Sequence, residues 1–69
     1  MQNTIHPRDL IVGLQKGLAL IQLFSKNCPK LTVAQAAKMS GLTQSAARRF
    51  LLTLLHDRYL QTDGRYYWL

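Results

Sequence analysis

Thr43, Gln44, Ser45, Arg48 and Arg49 are the residues of this chain whose types and spacing suit a definite chemistry. A Gln amide can pair with adenine, and an Arg guanidinium can grip guanine O6 and N7, each through two hydrogen bonds in a DNA major groove. Small hydroxyl and amide residues at a helix start leave backbone N–H groups open to a phosphate. Arg49, one residue further round, suits a phosphate or a brace for the preceding turn. Arg65 follows Asp63-Gly64 at a turn, from which it can reach a minor groove or the adjacent backbone. Lys38 and Lys30 can touch phosphates. Each of these cations also suits a solvated surface, so the elements that carry them decide what they can do.

Those elements are legible from periodicity and end signals. Residues 1–12 read as an N-terminal arm, with Leu10-Ile11-Val12 extended, and residues 13–69 as one small domain. A first helix should begin near Gly13 or Leu14 and run to about Lys26, where Cys28-Pro29 ends it. Leu14, Leu18, Ile21 and Phe24 mark its buried stripe, widened by Leu20 and Leu23. A second helix opens on a capping box of Thr32 and Gln35, faces Val33, Ala36, Ala37 and Met39 inward, and closes on Gly41. Thr43 caps a third helix that runs to about Asp57, with Leu42 tucked in before it. At about 100° per residue, Ala47, Phe50, Leu51 and Leu54 face the core, while Ser45, Arg48, Arg49, Leu52 and His56 face outward.

Tyr59–Thr62 and Arg65–Leu69 flank Asp63-Gly64, a strong hairpin signal in which both central residues should take positive φ. Leu31 can add a third short strand. Tyr66 and Trp68 should share one strand face, with Tyr67 and Leu69 on the other. The apolar end, together with an outward Leu52, suggests a fragment of a longer protein or a dimer that covers these residues. The expected fold is mainly α with a small β-hairpin: a winged helix-turn-helix of three helices plus a two-stranded wing.

Composition agrees with a polyanion partner. Nine Lys and Arg face three acids in 69 residues, a formal net charge of +6, and the pI is near 10.1, the footprint of a nucleic-acid binder. An enzyme is not expected. His6 and His56 lie far apart, neither has partners at metal-ligand spacing, and no Gly-rich phosphate loop occurs, so neither cofactor nor metal is foreseen. Cys28 is alone and cannot form an internal disulfide. The longest apolar run, Gly17 to Ile21, is too short for a membrane span, no signal peptide is visible, and a reducing cytoplasm is the expected setting.

The runs Gly13-Leu-Gln-Lys-Gly-Leu-Ala-Leu-Ile-Gln-Leu-Phe24, Leu31-Thr-Val-Ala-Gln-Ala-Ala-Lys-Met-Ser-Gly-Leu-Thr43, Arg49-Phe-Leu-Leu-Thr-Leu54, Tyr59-Leu60 and Asp63-Gly64-Arg65-Tyr66 resemble the N-terminal DNA-binding domain of IclR-family bacterial transcription regulators. The run Ser45-Ala-Ala-Arg-Arg-Phe-Leu-Leu-Thr-Leu54 is most similar to the branch controlling catabolism of aromatic acids such as protocatechuate and 4-hydroxybenzoate. The resemblance implies a cytoplasmic repressor or activator that binds double-stranded palindromic operators as a dimer or tetramer. It also implies a small-molecule effector bound by a C-terminal domain not present here. Arg49 takes the place of the family's usual recognition-helix arginine, and Arg48 stands where members vary, which suits a base reader. Tyr59 stands in place of a common Gly after the third helix, and Leu52 in place of an often polar residue. Sequence-specific DNA binding is therefore the leading expectation. The alternative is a winged-helix protein–protein module without nucleic acid, and structured RNA is a distant third ligand.

Overall fold

A computed structural model describes residues 5–69. A 3₁₀ turn, Pro7–Asp9, precedes helix α1 (Val12–Ile21), strand β1 (Leu31–Thr32), helix α2 (Val33–Ser40), helix α3 (Gln44–His56), and strands β2 (Gln61–Thr62) and β3 (Tyr66–Trp68). This is the three-helix, small-sheet layout of a winged helix-turn-helix. Residues 1–4 of the expected arm lie outside the described residues, whereas Leu10 and Ile11 are extended as expected and Val12 opens α1.

Each helix starts and stops for a local reason. The Thr32 hydroxyl accepts the Gln35 N–H at 3.2 Å and the Gln35 side chain accepts the Thr32 N–H at 2.9 Å, completing the capping box of α2. Gly41 closes that helix in the left-handed region at φ 77°, its N–H donating to Ala37 O. The α1 C-terminus departs from expectation and falls at Ile21 rather than near Lys26. There Leu23 N–H and Phe24 N–H donate to the carbonyls of Leu20 and Ile21, tightening the turn. Ser25 and Cys28 then exchange backbone hydrogen bonds, both at 3.1 Å, which reverses the chain before Pro29 can act.

The expected stripe of α1 holds in part: Leu20 and Phe24 are buried and Ile21 and Leu23 half-buried, but its first two leucines are not. Gly17, Leu20 and Phe24 face inward, while Leu14 and Leu18 remain 59% and 49% exposed. Buried Gly17 faces Phe50 of α3, where a Cβ would sit at ordinary contact distance, 3.8 Å, so this is the side that α1 turns to α3. Met39 is likewise exposed rather than inward, because Ala36 and Ala37, both buried, already fill the α2 face that meets α3. The core is Leu20, Phe24, Leu31, Ala36, Leu51, Leu60 and Tyr67, with half-buried Leu23, Cys28, Val33, Leu42, Phe50, Leu54 and Leu55 packed around it. Fully buried Ala36 and Ala47 allow the close approach of α2 and α3 that a helix-turn-helix requires.

The sheet has three strands in the order β1-β3-β2, all antiparallel, so the expected extra strand at Leu31 forms. Leu31 pairs with Tyr67 and Thr32 with Tyr66, which ties the wing to the start of α2. The register turns Tyr67 into the core and leaves Tyr66 and Trp68 half-buried. The turn itself is not the expected one: only Gly64 takes positive φ, at 99°, and Asp63 does not. Leu52, expected outward, is half-buried. Between α3 and β2 the left-handed residue is Arg58, at φ 70°, one residue before Tyr59. Arg58 N–H donates to Leu55 O and Tyr59 N–H to Leu54 O, a left-handed helix stop that glycine would suit better.

Candidate nucleic-acid interface

The turn between α2 and α3 is held by a short chain of polar contacts. The Ser40 hydroxyl donates to Ala37 O at 3.2 Å and accepts the Leu42 N–H at 3.3 Å. Leu42 packs against the core and pins the turn from below. Thr43 then caps α3, its Oγ1 accepting the Ala46 N–H at 3.1 Å. With the cap in place, the first turn of α3 carries no acidic residue. Its unpaired N–H groups and dipole thus favour an anion.

Gln44, Ser45, Arg48 and Arg49 are all exposed, as is Thr43, while Ala47 and Leu51 on the other side of α3 are fully buried. Arg48 stands one helical turn beyond Gln44 and Arg49 one turn beyond Ser45, so the two arginines diverge by about 100° around the axis. Among the described residues the one ion pair is between His56 and Asp57, at 3.0 Å near the far end of α3. Neither arginine, nor exposed Lys38 in the last turn of α2, is therefore neutralised by a carboxylate.

The wing contributes one further cation. Arg65 is exposed, with its guanidinium carbon 5.4 Å from the centre of the Tyr66 ring. Asp63 beneath it uses one carboxylate oxygen to accept the Arg65 N–H at 3.0 Å and the Tyr66 N–H at 2.8 Å. These bonds, Tyr66 first and then Arg65, hold the Asp63 carboxyl below the usual carboxylate range. The Asp63 and Tyr66 roles were missed in sequence. The signal was available, since Asp readily bonds backbone N–H groups two and three residues on. Lys30 lies over the Trp68 ring, 4.5 Å from its centre, rather than standing free beside α2.

Away from these residues, α1 and α3 enclose an open apolar groove of about 460 Å³, lined mainly by Leu14, Leu18, Ile21, Phe50, Leu54 and Tyr59. Among the described residues no three His, Cys, Asp or Glu side chains group as metal ligands. No described helix is long and apolar enough to cross a membrane.

The sequence profile of the IclR helix-turn-helix domain matches residues 13–64, from the start of α1 to the tip of the wing. The chain belongs to the IclR family. It is 46% identical over 65 residues to the p-hydroxybenzoate hydroxylase transcriptional activator of Acinetobacter baylyi, covering 94% of this chain and 24% of that protein. It is 40% identical over 65 residues to the Pca operon regulatory protein of the same organism, covering 94% of this chain and 23% of that protein. The chain thus spans about a quarter of the length of these relatives. The crystal structure of an IclR family transcriptional regulator from Brucella abortus superposes with a TM-score of 0.88 at 26% identity, over 91% of this chain and 25% of that one. The IclR helices and wing described above are therefore those of a transcription-regulator helix-turn-helix domain.

Proposed function

We propose that residues 13–69 are the sequence-specific DNA-binding unit of a bacterial transcription regulator, with residues 1–12 as its arm. One observation carries the reading: the outward face of α3 presents Gln44, Ser45, Arg48 and Arg49, and among the described residues no carboxylate pairs with either arginine. That face has the length and chemistry of a major-groove reader. Gln44 and Arg48 read base edges, Thr43, Ser45 and Arg49 hold phosphates, Lys38 touches the backbone from α2, and Arg65 reaches it from the wing. The relatives' names, a p-hydroxybenzoate hydroxylase transcriptional activator and a Pca operon regulatory protein, support promoters of aromatic-acid catabolism as the place of action, and a cytoplasmic setting goes with that role.

The full-length regulator, on this reading, binds palindromic operators as a homodimer, its half-sites about 34 Å apart or a multiple of that. Exposed Leu14 and Leu18 on the α1–α3 groove, with exposed Leu10, Ile11 and Val12 just before them in the chain, supply apolar surface for a second copy. A small-molecule effector is bound by a separate C-terminal domain.

Two substitutions test the assignment of roles. Arg48→Ala should cost about 1–3 kcal/mol on a selected duplex and relax preference at one base position. Arg49→Ala should weaken binding to all sequences alike and lower the salt slope by about one. Fluorescence anisotropy on selected and scrambled duplexes reads both. Equal losses from the two changes on the two duplexes would refute the division of labour.

A further inference from the structure

We infer that Asp63 is a positioning residue for DNA binding: its carboxylate builds the wing turn that presents Arg65, so this acid favours association with a polyanion. The inference rests on the DNA-binding reading above and concerns how the wing performs it. Four consecutive backbone N–H groups at the wing tip are all occupied within the turn. Asp63 N–H donates to Tyr66 O at 3.3 Å. Gly64 N–H donates to the Thr62 hydroxyl at 3.0 Å, and the Arg65 and Tyr66 N–H groups donate to Asp63 Oδ1. The Thr62 hydroxyl in turn donates to Tyr66 O at 2.7 Å. No N–H in this turn is left to receive a phosphate, so the wing tip is a rigid mount and its cation is the Arg65 side chain.

The mount fixes the start of that side chain, and the Tyr66 ring, 5.4 Å from the guanidinium, supports its end. A side chain ordered before binding loses less freedom on binding. Simple charge counting gives the opposite sign for Asp63. Removing one of three acids from a chain of net charge +6 should strengthen attraction to DNA. Positioning and charge therefore make opposed predictions for the same residue.

Asp63→Ala and Asp63→Asn separate them, because both remove the charge and only Asn keeps an oxygen able to accept the two N–H groups. On a selected duplex at low salt, Asp63→Ala should bind on the order of fivefold more weakly than the native chain, the size of one lost charge-assisted contact. Asp63→Asn should bind as tightly as the native chain or more tightly. Arg65→Ala should bind at least as weakly as Asp63→Ala, and adding Asp63→Ala to Arg65→Ala should weaken binding no further. Amide exchange without DNA gives an independent reading: the Arg65 and Tyr66 N–H groups stay protected in Asp63→Asn and become labile in Asp63→Ala. An Asp63→Ala chain that binds as tightly as Asp63→Asn, or keeps those amides protected, would overturn the inference. Failure of the native chain to bind any duplex would instead strike the DNA reading, and is seen before any variant is compared.

Discussion

Arg48 and Arg49 are neighbours in sequence, yet α3 separates their side chains by about 100°, so one helix can send one cation to a base edge and the other to a phosphate. Arg58 shows the same dependence of a residue on its backbone. It takes the left-handed region at φ 70°, where an L side chain costs about 1–2 kcal/mol. Arg58→Gly should remove most of that cost, offset in part by the greater freedom of glycine in the unfolded chain. The expected net gain is about 0.5–1 kcal/mol, seen as a rise of a few degrees in Tm, while Arg58→Ala should give no gain. A Tm unchanged by Arg58→Gly would show that the left-handed turn is not strained. The left-handed residue was not legible in sequence, because end signals locate a helix terminus only to within a residue or two. The exposure of Ser45, Arg48 and Arg49 was readable from the polar face of α3, and Lys38, Thr43, Gln44 and Arg65 are exposed as well. The Asp63 hydrogen bonds were not readable, since the Asp-Gly pair suits several turn geometries.

At the scale of elements, α2 and α3 were legible because their ends carry side-chain caps that act locally: Thr32 with Gln35, Gly41, and Thr43. The α1 helix ends earlier than its apolar run suggests and buries only part of the stripe that run marks. A Leu-rich run fits several stripes, and the choice among them is made by packing against elements distant in sequence, which buries Gly17 and Leu20 and leaves Leu14 and Leu18 exposed. The α2–α3 contact rests on alanines, and on the proposed reading it sets the angle at which α3 meets DNA. Ala47→Leu should overpack this contact and cost about 1–3 kcal/mol in urea unfolding. DNA affinity should fall further than the loss of folded protein accounts for, because the tilt of α3 changes. A variant that is destabilised but, once folded, binds as well as the native chain would show that the helix angle is not critical.

Taken as a whole molecule, the chain divides its surface by chemistry. The α3 face and the wing carry exposed arginines, Asp63 is turned to its own backbone, and Asp57 stands at the far end of α3 beside His56. The apolar groove between α1 and α3 contains none of the residues proposed to contact DNA. The β1–β3 pairing joins the wing to the start of α2, so α3 and Arg65 are mounted on one scaffold and can engage one duplex together. The net charge of +6 favours general attraction to nucleic acid, and on the proposed reading preference among sequences comes from Gln44 and Arg48. The decisive measurement is the affinity of the native chain for a duplex that it enriches from a random-sequence pool, against the same duplex scrambled, at about 0.15 M salt. Several mismatches at about 1–3 kcal/mol each predict a ratio of at least about a hundredfold. Equal affinity for the two duplexes, or failure to enrich any sequence, would contradict base reading by α3.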